Sequence, residues 1–120
     1  MTIVGKGVTA QLAKWAVDTN YADMPEAAKR LGRERIIDMI GVSLAGAADP
    51  DSAGIRAVAL MQELGGRGKS TVLGGGFTTN CVDASFANGA SAAALDVCDT
   101  TTAPLCHLSS CLVPAILAVA

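Results

Sequence analysis

Aromatic side chains are scarce in this chain: one Trp, one Tyr and two Phe, 3% of 120 residues. The apolar content of 51% therefore rests mostly on Ala, Val, Leu and Ile. Small side chains let helices approach closely, but each buries little area, worth about 0.8 kcal/mol per CH₂. Charge is scarce too, at 17%, so little polar surface is available to cover a fold. The length suits one domain with a core of moderate size. The composition fits a piece of a larger helical body better than a free-standing globule.

Other absences narrow the function. No basic cluster is present, the net charge is −2 and the pI about 5.1, which argues against nucleic acid as a partner. No apolar run reaches the roughly 20 residues of a bilayer span; the nearest, "IIDMIGVSLAGAA", carries Asp38. The opening "MTIVGKGVTAQLAKW" is charged and amphipathic and lacks a secretory h-region. Cys81, Cys98, Cys106 and Cys111 then read as reduced thiols of a cytoplasmic protein. No C-x₂-C pair joins Cys98, Cys106, His107 and Cys111, so no metal is expected there. "GRGKST" is not a phosphate loop, because Glu63 stands where its first glycine belongs. Cys106 abuts His107, but a thiolate–imidazole pair normally forms across a fold rather than between sequence neighbours.

The apolar periodicity predicts an all-α fold with one short extended segment near residues 69–74. A first helix is expected over Thr9–Thr19, with Leu12, Trp15 and Ala16 on one face. Asp23, Pro25 and Glu26 read as a capping box opening a second helix, which Gly46 and Pro50 stop. Gly32 and Gly41 inside it imply close helix contacts. Ser52 and Gly65 bracket a third helix, and Asn80 with Asp83 starts an alanine-rich fourth. Ser109 or Ser110 caps the last helix, placing Pro114 in its first turn. That helix ends apolar, without glycine or cation, and is read as the edge of an N-terminal piece of a longer protein.

Between the last two helices lies "ALDVCDTTTAPLCHLSS", with two aspartates, three consecutive threonines and the chain's only histidine. Asp96 falls at the negative end of the preceding helix dipole; if partly buried, it is poised to accept a proton. Asp99 and Thr100 add a second carboxylate and a hydroxyl. His107 precedes a helix N-terminus, whose positive end suits a bound carboxylate. Together they make an acid/base kit. Equally, Asp99, Thr100 and Ser110 are local caps and His107 a satisfied loop histidine.

"STVLGGG", "DASFANGASAAALDVCDTT" and "HLSSCLVPAILAVA" resemble motifs of the MmgE/PrpD family, which includes 2-methylcitrate dehydratase and cis-aconitate decarboxylase. The opening "LAKWAVDTNYADMPEAAKRLGRERIIDMIGVSLAGA" is similar to the family's first helices. The resemblance implies a helical domain, joined in relatives to a smaller α+β lid, and a lyase without metal or organic cofactor. It implies a polycarboxylate substrate and a homodimer. It places Asp96, Thr100 and His107 in the active site, with His107 in acid/base work, Asp96 catalytic, and Thr100 and Asp99 in substrate contact. Leu108 stands where relatives have proline, and Cys98 where an acid is frequent. A tricarboxylate needs cationic clamps, yet no Lys or Arg follows Lys69, so the 120-residue chain alone is expected to be inactive. The alternative is a non-catalytic helical module, or truncated pseudoenzyme, stabilised by association.

Overall fold

Residues 7–101 and 105–120 are described by the structure, a computed structural model. The first six residues of the amphipathic opening and residues 102–104 of the polar loop lie outside them. The chain divides into two units, Met1–Gly32 and Arg33–Ala120.

In the first unit, α1 spans Val8–Asp18 and buries none of its residues. The face expected to pack leaves Leu12 and Trp15 exposed. One turn apart on this helix, Asp18 accepts from Lys14, and that hydrogen bond, with the carboxylate charge, raises the Lys14 amine above its ordinary range. Asp23 closes a 3-10 turn, Tyr21–Asp23, and accepts from Asn20 Nδ2 at 3.3 Å. Helix α2, Glu26–Ala48, instead opens on the Pro25 carbonyl, which accepts the Ala28 and Lys29 amides at 2.9 and 3.1 Å. Glu26 pairs with Lys29 Nζ at 2.9 Å. The two acids of the expected capping box are thus engaged elsewhere, because the intervening turn holds Asp23 outside the helical register.

In the second unit, α2 runs through Gly46 to Ala48 rather than stopping at the glycine. The chain then turns on Asp49, whose Oδ1 accepts the Asp51 amide at 2.8 Å. Helix α3, Ala53–Leu64, begins and ends as the sequence predicts: Ser52 Oγ accepts the Ile55 amide at 3.1 Å, and Gly65 takes φ 65°. The extended segment is β1, Ser70–Val72, paired antiparallel to β2, Phe77–Thr79. Gly74 and Gly76 supply the positive φ angles of the turn between them, 78° and 74°. Helix α4, Cys81–Ala93, is capped by Asn80, whose Oδ1 accepts the Asp83 amide at 3.0 Å while its Nδ2 donates to Asp83 Oδ2 at 2.6 Å.

The predicted close glycine contacts occur, but not at the predicted glycines. A Cβ at Gly41 would meet nothing within 4 Å. A Cβ at Gly54 would sit 2.5 Å from the Gly46 carbonyl oxygen and 2.8 Å from Ser91 Cα. Gly46 and Gly54 therefore set how near α2, α3 and α4 come. Around them lies a cluster of Ala47, Val58, Met61, Val72, Ala84, Ala87 and Ala118.

Ser91 Oγ is buried with no hydrogen-bond partner among the described residues. Ser91→Ala removes that cost and is expected to raise unfolding free energy by about 1 kcal/mol, read from the urea midpoint. Asn88 is the opposite case, almost fully buried with its amide used at both ends. Its Oδ1 accepts the Leu73 amide at 2.8 Å and its Nδ2 donates to Thr71 O at 3.0 Å, fixing β1 to α4. Asn88→Ala strands both strand groups and is expected to lower stability by about 2 kcal/mol in the same assay.

Helix α5 spans Leu108–Val119, starting before the serines expected to cap it. Ser109 and Ser110 are buried inside it, and Pro114 lies in mid-helix rather than in the first turn. Pro114 has no N–H for the Ser110 carbonyl. At the other end, Ser70 Oγ of β1 donates to the Ala118 carbonyl at 2.5 Å. The apolar helix end is thus capped from a distant strand. Among the described residues the fold is all-α apart from the two-stranded sheet, and no helix is long and apolar enough to cross a membrane.

Candidate active site at the junction of α4 and α5

Alanines make α4 thin: Ala84, Ala87 and Ala92 are fully buried. A Cβ on Gly89 would lie 3.7 Å from the Ser110 carbonyl oxygen of α5, an ordinary contact distance. The segment joining these two helices thus sits where α4 and α5 pack side by side. After α4, Asp96 takes the left-handed conformation, φ 53°, and its amide donates to Ala93 O at 3.3 Å. Asp tolerates this conformation better than most residues. Cys98 then turns inward, against the cluster of Met39, Ala92 and Val113. Thr101 and Cys106 pair through their backbones at 2.9 and 3.3 Å, bringing the returning chain back beside the outgoing one. Leu105, φ 49°, makes the turn into His107, the N-cap residue of α5.

These constraints converge on the His107 ring. Its Nδ1 is 3.0 Å from the Asp99 carbonyl oxygen, and 3.4 Å from both Thr100 Oγ1 and Cys98 Sγ. A carbonyl only accepts, so Nδ1 carries the hydrogen and the neutral ring leaves its lone pair on Nε2. Nε2 faces Asp96 Oδ1 at 3.9 Å. That separation is too long for a direct hydrogen bond and short enough for one small group to touch both. The His107 side chain is 44% exposed and that of Asp96 90%. Asp96 is thus not the partly buried carboxylate that its place after α4 allowed.

Asp99 stands apart. Its Oδ2 accepts Ser109 Oγ at 2.7 Å and its Oδ1 accepts the Ser109 amide at 3.3 Å. The positive end of α5, expected to hold a substrate carboxylate, already holds one of the chain's own. Ser110 Oγ donates to the His107 carbonyl at 3.1 Å, adding a second tie to the same turn.

The structure therefore brings Asp96, Thr100 and His107 around one ring and leaves Asp99 as the cap behind it. The thiol near the ring is that of Cys98, not of the adjacent Cys106, in keeping with the expectation that such a pair forms across a fold. Asp99 is a cap, as one of the two sequence readings had it, and its partner Ser109 is what spacing alone did not name. Among the described residues, no three His, Cys, Asp or Glu side chains gather as metal ligands.

A family model described as the MmgE/PrpD N-terminal domain matches residues 10–120. The chain belongs to the MmgE/PrpD family. No curated protein and no solved structure matches it. The segment with Asp96, Asp99, Thr100 and His107, and the helices α4 and α5 that flank it, all lie inside the matched region.

Proposed function

We propose that this chain is the helical domain of a cofactor-independent lyase acting on polycarboxylic acids of the 2-methylcitrate or cis-aconitate type. The observation that carries the reading is the His107 ring, tied at Nδ1 and facing Asp96 with Nε2. In a dehydration, a base removes a proton from carbon beside a carboxylate and the electron pair forms the new double bond. Hydroxide leaves from the neighbouring carbon, taking up a proton to depart as water. Nε2 of His107 handles the proton on one side of that exchange. Once protonated, Nε2–H faces the Asp96 carboxylate. Thr100 offers its hydroxyl at the rim.

The carboxylates of such a substrate need Lys or Arg partners, and none follows Lys69. In this reading they come from a second domain or another copy, in a cytoplasmic homodimer. The test is a panel of citrate-type acids given to the protein joining this domain to its second one. Dehydration is read from the conjugated product's absorbance and decarboxylation from released carbon dioxide. No turnover of any member contradicts the proposal.

A non-catalytic module that works by association is favoured by a separate observation: Val82, Phe86, Leu112 and Ile116 of α4 and α5 are each more than half exposed. Sedimentation separates the readings. A stable, monodisperse monomer of the 120-residue chain counts against the association module.

A further inference from the structure

We propose that Asp99 is a positioning residue that sets the tautomer and direction of His107, using its main chain and its side chain for different tasks. This rests on the reading of His107 as the proton-handling group, but its primary readout does not.

An unconstrained neutral histidine ring prefers hydrogen on Nε2, the tautomer unsuited to a base acting through that atom. Here the Asp99 carbonyl lies 3.0 Å from Nδ1 and rewards the other tautomer. That carbonyl is of use only if its residue stays fixed. The Asp99 carboxylate fixes it, accepting both Ser109 Oγ at 2.7 Å and the Ser109 amide at 3.3 Å. Ser109 is buried in the first turn of α5, two residues after His107. The ring and its acceptor are thereby attached to the same helix end. Thr100 Oγ1 and Cys98 Sγ, each 3.4 Å from Nδ1, are flexible or polarisable neighbours that fix no tautomer alone.

The experiment is ¹⁵N NMR of the imidazole in the 120-residue chain, where His107 is the only histidine. The neutral ring is expected to be mainly Nδ1–H. Asp99→Ala is expected to shift the tautomer ratio at least tenfold toward Nε2–H. Asp99→Asn, which keeps an acceptor for the Ser109 amide and a partner for its hydroxyl, is expected to restore most of the native ratio. Ser109→Ala keeps the α5 backbone and removes only the hydroxyl, so it decides the matter should Asp99→Ala lose helix content by circular dichroism; it is expected to shift the ratio in the same direction. A native Nε2–H ring, or a ratio unmoved in Ser109→Ala and in folded Asp99→Ala, overturns the proposal. In the catalytic assay, Asp99→Ala lowers kcat with KM unchanged, and Asn rescues it. Should the tautomer respond while His107→Gln leaves turnover intact, the positioning role stands and the proposed reaction falls.

Discussion

Replacing His107 by Gln is expected to lower kcat of the proposed lyase reaction by about 10²–10⁴-fold, the usual contribution of a positioned acid or base. Gln carries no group that takes up or gives back a proton near neutral pH, so the acid/base function proposed for Nε2 is lost. KM is expected to change far less, because the proposed reading has the substrate's carboxylates held by Lys or Arg outside this segment. Asp96→Asn gives a smaller loss. It removes the charge 3.9 Å from Nε2 without touching the atom that carries the proton. Steady-state kinetics on purified variants, matched for helix content, read both. Full turnover in His107→Gln removes His107 from the chemistry.

Gly54→Ala is expected to be strongly destabilising, lowering unfolding free energy by about 3 kcal/mol, toward the top of the range for overpacking. The added Cβ meets the Gly46 carbonyl oxygen at 2.5 Å and Ser91 Cα at 2.8 Å. Both obstacles are backbone, so no rotamer change relieves the clash. Relief requires α3 to move away from α2 and α4, opening the cluster that holds Ala47, Val58 and Ala87. For a domain this size the loss lowers Tm by roughly 10 °C. Gly41→Ala is the matched control. Its Cβ points into open space, so the better helix propensity of Ala raises stability, by up to about 1 kcal/mol. Equal Tm values for the two variants contradict the packing described here.

Why was α3 legible from the sequence to the residue, while α5 was not? The ends of α3 are set by neighbours in the chain, Ser52 at one side and Gly65 at the other. The ends of α5 are set from far away. Asp99 takes the Ser109 amide, and the Ser70 hydroxyl takes the Ala118 carbonyl. Rules built on local spacing find the first kind of cap and assign the second wrongly, which is how Ser109, Ser110 and Pro114 were each placed a turn or so from their roles.

The glycines show the same limit. A sequence records that a helix tolerates glycine, not which side of the helix it faces. Gly41 looks outward, while Gly46 and Gly54 lie where backbones touch. The candidate segment was legible in part because it is a polar interruption between two apolar helices. Asp96, Thr100 and His107 stand out by residue type. Asp99 carries the same signal as Asp96, and only the returning chain, brought back by the Thr101–Cys106 pairing, separates their tasks.

The central claim is that Nε2 of His107 and the Asp96 carboxylate address one bound acid. It is tested most directly by a crystal structure of the proposed lyase with tricarballylate, a saturated analogue that cannot eliminate water. The account predicts the ligand within hydrogen-bonding distance of His107 Nε2, on the side that Asp96 faces, with Nδ1 still on the Asp99 carbonyl. A ligand bound elsewhere, with Nε2 left in bulk solvent, contradicts it.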